Sequence, residues 1–388
     1  MQYREDICSG GRISALGFGC MRLPKESESE RLILRALDLG INYFDTAYLY
    51  AGNEEMLGRI MARNGIRDRM LLATKLPHGK CRAPGDTERL FTTSCERLQT
   101  PRIDYYLLHN LVECAQWERL CGLGVDAWLA QLKAEGRIGA AGFSFHGSTD
   151  EFLKILNAYD WDFCQIQYNY SNENFQAGRA GLLAAAERGI PVIIMEPLLG
   201  GKLAGGLPKK AQAALREADP QASLASWGLR WLWDQPQVTC VLSGMNTLEQ
   251  LEDNAAVASA TLPNSMTPAQ HEAIEAARTS FEAAFRIPCT GCNYCMPCPK
   301  GINIPAAFAA YNSSYNFGWF TGIMGHMMSA NVMDPNPHFA RSCVNCGACK
   351  AKCPQHIDVP TQLRAVRKRL EPGIAIPAVK LFAKIHNK

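Results

Sequence analysis

Eight of the sixteen cysteines fall in two short runs near the C-terminus. The first reads Cys289-x-x-Cys292-x-x-Cys295-x-x-Cys298-Pro299 and the second Cys343-x-x-Cys346-x-x-Cys349-x-x-x-Cys353-Pro354. The second run has the bacterial ferredoxin spacing, and the first has one residue fewer before its last cysteine. Three thiolates two residues apart let one tight loop wrap three corners of an iron–sulfur cubane. The proline then turns the chain, so the fourth cysteine reaches the other cluster. This pairing assigns Cys289, Cys292, Cys295 and Cys353 to one [4Fe–4S] cluster, and Cys343, Cys346, Cys349 and Cys298 to a second. Zinc favours two separated Cys-x-x-Cys pairs, and disulfides need an oxidising compartment. The doubled signature favours clusters over both.

A second set of reactive side chains stands at the ends of short apolar runs. Asp45 closes residues 42–45, Lys75 follows 71–74, and His109 follows 105–108. Tyr50 lies in the loop five residues after Asp45. Together they fit reduction of a carbonyl by hydride. The carbonyl oxygen needs a proton, and a tyrosine can deliver it once its pKa, about 10 when free, is lowered. A neighbouring lysine cation favours the phenolate. The aspartate would hold that lysine charged and in place. The histidine would hydrogen-bond the substrate oxygen or relay the proton.

Such residues need a repeating frame to position them. Apolar runs at 15–19, 42–45, 71–74, 105–108, 139–143, 164–167, 192–195 and 238–242 alternate with amphipathic stretches at 30–39, 54–63, 86–98, 125–135, 150–157 and 178–188. Gly40, Gly65, Gly136 and Gly189 supply helix stops. This alternation implies a parallel sheet, and eight units in about 240 residues fit a closed (β/α)8 TIM barrel better than an open sheet. Polar residues at the C-terminal strand ends of such a barrel face its catalytic side. Residues 200–220, rich in Gly and Lys, read as a long loop after the seventh strand. Residues 267–285 read as a connecting helix, and 374–388 as a basic, weakly amphipathic surface helix. The expected domains are therefore a barrel at 1–264 and a helical linker with a small ferredoxin-like iron–sulfur domain at 265–388.

Composition narrows the setting. With 40 basic and 37 acidic residues and no long basic run, nothing points to nucleic acid. No stretch approaches the roughly 20 apolar residues that span a bilayer, and the first ten residues lack a secretory apolar core. The eight cysteines outside the runs are scattered, as reduced buried thiols would be. The expected location is the cytoplasm.

In this order the barrel residues resemble the aldo-keto reductase family. The motifs are Phe44-Asp45-Thr46-Ala47 with Tyr50 and Glu54, then Thr74-Lys75, then Leu107-Leu108-His109. Gly142-Phe143-Ser144, Gln165, Glu196-Pro197-Leu198 and residues 248–254 match further positions on the cofactor side. The resemblance covers about residues 1–260, and the whole chain is similar to the subgroup with a ferredoxin-like module fused behind the barrel. It implies a barrel that binds NAD or NADP without a Rossmann fold, with Asp45, Tyr50, Lys75 and His109 as catalytic residues. It also implies nucleotide contacts from Gly19, Met21, Ser144, Gln165, Met195, Glu196, Pro197, Leu198, Gly244, Gln250, Asp253 and Asn254. Several positions depart from the pattern. Phe145 and His146 follow the serine where many relatives have asparagine. Met195 stands where many stack an aromatic ring on the nicotinamide. Gly244 and Gln250 replace the cations that grip the 2′-phosphate of NADP, which a phosphate dianion needs. Lys202, Lys209 and Lys210 are candidate replacements, so NAD and NADP both stand.

A hydride carries two electrons and each cluster passes one. Three functions follow: an oxidoreductase whose clusters exchange electrons with a ferredoxin or flavoprotein, an NAD(P)H-dependent reductase of a small carbonyl whose clusters only brace the module, or an electron-transfer or redox-sensing protein whose barrel reduces nothing.

Overall fold

The computed structural model describes residues 1–5, 10–330, 332 and 337–373. The expected tail helix at 374–388 lies outside the described residues. The contacts divide the chain into two compact units, Met1–Gly205 with Ala218–Ile274, and Gly206–Glu217 with Glu275–Lys388.

The first unit opens with an antiparallel pair, β1 (Tyr3–Glu5) and β2 (Arg12–Ser14). Eight parallel strands follow and close into a barrel. They are β3 (Leu16–Gly19), β4 (Tyr43–Asp45), β5 (Leu71–Leu76), β6 (Ile103–Leu111), β7 (Ile138–Phe145), β8 (Phe163–Gln167), β9 (Val192–Met195) and β10 (Val238–Ser243). The (β/α)8 expectation is met, and β10 pairs with β3 to complete the ring. The helices of this unit are α1 (Glu26–Asp38), α2 (Asn53–Asn64), α3 (Asp86–Leu98), α4 (Cys114–Cys121), α5 (Val125–Ala134), α6 (Thr149–Asn157), α7 (Gly178–Glu187), α9 (Leu224–Trp233) and α10 (Leu248–Ala260), whereas α8 (Lys209–Ala218) falls, but for its last residue, in the second unit.

Strand alternation sorts the barrel interior into layers. Tyr43, Ala73, Tyr105, Ala140, Phe163 and Ile193 form an apolar floor that Ile13 joins from the terminal hairpin. Tyr105 meets Tyr43 and Phe163 edge-on at 5.0 and 4.9 Å between ring centres. Two residues further along their strands stand Asp45, Lys75, Leu107 and Gln165, and a further pair along come His109 and Gln167. The floor is thus packed with aromatic and aliphatic side chains, and the mouth carries the polar ones.

One expectation needs correction. Residues 200–220 are not simply a loop, because Lys209–Ala218 form α8. Ala211 and Leu215, four apart, are buried on one face of it, and that short stripe is a weak signal inside a lysine-rich segment.

In the second unit, α11 (Pro268–Ala284) leads in, with its last residues in this unit. After the first cysteine run come α12 (Ile304–Asn316) and α13 (Trp319–Ser329), and around the second run α14 (Ala348–Ala351) and α15 (Val359–Leu370). Asn303 and Asp358 cap α12 and α15, each followed by proline in the first turn. The unit has its own core of Ile304, Phe308, Ile323, Leu363 and Val366, and cysteines of both runs pack against it. Glu371 ties this unit together. It is fully buried and accepts hydrogen bonds from His326 Nε2 at 2.7 Å, the Ala340 amide at 2.6 Å and Arg341 Nε at 2.9 Å. Burial alone would raise its pKa. The His326 and Arg341 bonds outweigh that and hold the carboxyl below its usual range.

Candidate active site and cluster cysteines

The strand ends bring the tetrad together. Lys75, only 2% exposed, donates from Nζ to Asp45 Oδ1 at 2.6 Å and to the Thr46 carbonyl at 2.7 Å. Gln165 Nε2 donates to the other Asp45 oxygen at 3.0 Å. Both Asp45 oxygens are therefore satisfied, as a buried carboxylate requires. Lys75 Nζ lies 5.4 Å from the centre of the Tyr50 ring. The His109 ring meets Tyr50 edge-on at 5.9 Å. Burial first, then the Lys75 cation and the neighbouring His146 and His78, push the His109 imidazole well below its usual value. It is neutral at pH 7 and has one N–H to donate.

The loop carrying Tyr50 is fixed from behind. Thr46 Oγ1 donates to Asn53 Oδ1 at 2.7 Å, and Asn53 Nδ2 donates to the Cys20 carbonyl at 2.7 Å. Buried Glu54 accepts from Thr74 Oγ1 at 2.6 Å and pairs with Arg97 at 3.2 Å.

The residues expected to touch nucleotide lie at the C-terminal ends of β3 and β7–β10 or on α10. Gly19 ends β3 beside the end of β10, and Met21 is exposed in the turn that follows. Ser144 Oγ accepts from the Asn110 amide at 2.7 Å, which holds Asn110 in a left-handed conformation with φ 64°. Met195 ends β9 in register with Gln167. Glu196 has φ 53° and begins the turn through Pro197 and Leu198, and its carbonyl accepts from Asn169 Nδ2 at 3.1 Å. Gly244 is exposed at the end of β10. Gln250 turns back to accept from the Asn246 amide at 3.1 Å. Asp253 accepts from Ser223 Oγ at 2.6 Å, and Asn254 Nδ2 donates to Ser243 Oγ at 3.0 Å.

Sequence reasoning passed over Gln167. It is fully buried, and neither amide atom has a hydrogen-bond partner. Two residues past Gln165 on the same strand, it lies on the same inward face, at the mouth. An unsatisfied buried amide is costly to fold. Its position in an apolar-polar-polar alternation, Phe163-Gln165-Gln167, was the available signal.

The cysteines sort into two sets that cross between the runs. Burial, then the nearby sulfurs of Cys289, Cys292 and Cys353, push the Cys295 thiol up to about 12. Burial chiefly raises Cys349, and Cys343 and Cys298 add to it. Cys298, Cys343, Cys346 and Cys349 also line one cleft, together with Cys295, Ile304 and Leu363. No group of His, Cys, Asp or Glu among the described residues is arranged to hold a single metal ion. A cubane presents four separated iron corners, and sulfurs placed around a common cleft are a donor set of the kind it takes. Thiols crowded this way ionise when iron supplies the compensating charge.

Barrel, strand-end tetrad and paired cysteine runs describe a TIM-barrel oxidoreductase with an iron–sulfur domain. The Aldo/keto reductase family model matches residues 15–276, and the chain belongs to that family. The 4Fe-4S dicluster domain model matches residues 288–357. An oxidoreductase of Bacillus subtilis is 27% identical over 65% of this chain and 90% of its own length. The L-glyceraldehyde 3-phosphate reductase of Escherichia coli (strain K12) is 27% identical over 66% of this chain and 86% of its own. The holo form of an aldo-keto reductase from Bacillus halodurans superposes with a TM-score of 0.60 at 26% identity, covering 71% of this chain and 96% of that one. A Klebsiella pneumoniae aldo/keto reductase solved with NADP and acetate shares the fold, with a TM-score of 0.58 at 22% identity over 69% of this chain and 93% of that one. Among the described residues no helix is long and apolar enough to cross a membrane.

Proposed function

We propose that the barrel domain, residues 1–264, reduces a small carbonyl compound or oxidises the corresponding alcohol. Cys289, Cys292, Cys295 and Cys353, and Cys343, Cys346, Cys349 and Cys298, in the domain at 265–388 would hold two [4Fe–4S] clusters, which would supply one-electron transfer to or from a carrier, either a ferredoxin or a flavoprotein. The observation that carries this reading is the buried Asp45–Lys75 pair beneath the Tyr50 ring, with His109 at its edge.

A nicotinamide nucleotide, NAD or NADP, supplies the hydride when bound. Tyr50 donates its phenolic proton to the carbonyl oxygen, and Lys75 stabilises the phenolate left behind. Asp45 keeps Lys75 charged and aimed. Neutral His109 donates a hydrogen bond to the same oxygen, adding no charge to a site that already holds a cation. Ser144, Gln165 and Gln167 serve the nicotinamide side. Gly19, Met21, Met195 and residues 196–198 line its approach, and Gly244 admits phosphate near the N-terminus of α10. The amide of Gln250 is engaged within its own loop and offers no cation, which favours NAD. The scattered cysteines outside the two runs, read as reduced thiols, suit the cytoplasm.

Tyr50→Phe should lower carbonyl reduction with NADH or NADPH by about 10²–10⁴-fold, with little change in nucleotide KM. Unchanged reduction would overturn the assignment. The fused cluster domain favours one other reading, an electron carrier or redox sensor with an idle barrel, under which no carbonyl on a broad panel is reduced by the unaltered protein.

A further inference from the structure

We propose that the edge of the cluster held by Cys298, Cys343, Cys346 and Cys349 is where this protein trades single electrons with an acidic carrier protein, and that Lys300, Lys352 and the basic face of α15 recognise that carrier. This rests on the two-cluster reading above.

Of the eight run cysteines, Cys346 alone is exposed. Val344 beside it is 57% exposed and gives the contact an apolar centre. Tunnelling falls steeply with distance, so the exposed ligand marks the place where a second redox centre comes closest. The cleft that these four cysteines line together with Cys295 is bordered by Lys300 and Lys352, both exposed. Lys350 is the neighbouring cation that has an acidic partner, Asp358 at 3.5 Å. Pro360 and Leu363 of α15 complete the cleft wall, and Arg364 and Arg367 of the same helix face solvent.

The charge is local to this part of the chain. Residues 288–373 carry eight Lys and Arg against three Asp and Glu, whereas the first 287 residues hold more acidic than basic side chains. A cubane with four thiolate ligands is itself anionic, so it repels an acidic partner unless cations surround it. A cationic or neutral carrier would need no such rim. Rim charges of this kind act mainly on encounter rate and on its salt dependence. At the contact the reduced carrier loses one electron and the cluster gains it; no bond forms or breaks and no proton moves.

The test uses the full, cluster-loaded protein with its clusters reduced under anaerobic conditions. Return of the visible cluster absorbance is followed by stopped flow against anionic ferricyanide, cationic hexaammineruthenium(III) and an acidic bacterial ferredoxin in its oxidised form. With the unaltered protein, rates for ferricyanide and ferredoxin should fall at least tenfold between about 0.01 and 0.5 M salt as the Debye length shrinks, and the cationic oxidant should show the opposite trend. Lys300→Glu with Lys352→Glu should slow the anionic oxidants about tenfold and speed the cationic one. Lys25→Glu, on the barrel, should change nothing. Salt-independent rates, or variants that slow all three oxidants alike, would overturn the docking surface. Iron and sulfide analysis separates the two claims: full loading with charge-blind kinetics sinks only the docking surface, and fewer than two clusters per chain sinks both.

Discussion

Lys75 is the residue on which the most depends. Its ammonium satisfies Asp45 and the Thr46 carbonyl and sits beneath Tyr50. Lys75→Met should abolish carbonyl reduction and also cost about 3–5 kcal/mol of stability, because it leaves a buried carboxylate without its partner. Denaturant unfolding measures this, and an unchanged midpoint would mean that the Asp45–Lys75 pair does not contribute to stability. His109 sets a pH dependence. Its folded pKa lies below the unfolded value of 6.5, so the unfolded chain takes up a proton that the native barrel refuses. The stability involved is fully present above pH 6.5 and is lost progressively as pH falls below it. His109→Gln should flatten that part of the stability–pH curve. Gln167→Leu should leave stability equal or higher, since it removes an unsatisfied amide, yet raise the KM for nucleotide or substrate. The tetrad was legible because three chemically distinctive residues stand at the ends of three separate apolar runs and the fourth, Tyr50, lies in the loop after the first of them. Its supports were not: the Thr46 and Cys20 carbonyls are backbone groups, identical at every residue, and only the fold decides which of them point at a lysine or an asparagine.

The elements show a similar division. All eight strands could be located because each is a short apolar run bounded by turn residues, and their observed limits differ from expectation by only a few positions. The helices α4, α8 and α9 were not located. α4 is eight residues long and a glycine-containing turn separates it from α5, α8 lies in a lysine-rich stretch, and α9 is apolar on nearly every side, which erases its periodicity. Close packing of α2 on α3 depends on Gly58, where a Cβ would collide with the Arg97 carbonyl. Gly58→Ala should therefore destabilise the barrel by about 1–3 kcal/mol and displace Arg97, which pairs with Glu54 behind the catalytic loop. A fall in kcat together with Tm is expected; a Tm shift alone would show that the bracing does not reach Tyr50.

At the scale of the whole chain, the two units each have their own apolar core. Heating should give two unfolding transitions, and chelating the iron should lower only one of them. Circular dichroism before and after chelation tests this, and a barrel transition that moves with the iron would mean the units unfold together. The crossing of the cysteine sets has a consequence for how the protein is made. Under the proposed pairing Cys353 would join the first run and Cys298 the second, and 44 residues separate Cys298 from Cys343. Whichever cluster forms first must close that loop and bear its entropy, which grows only slowly with length. The other then finds its four sulfurs already gathered. Maturation should be close to all-or-none, so that partial reconstitution yields a mixture of empty chains and chains with about eight irons, and few with four.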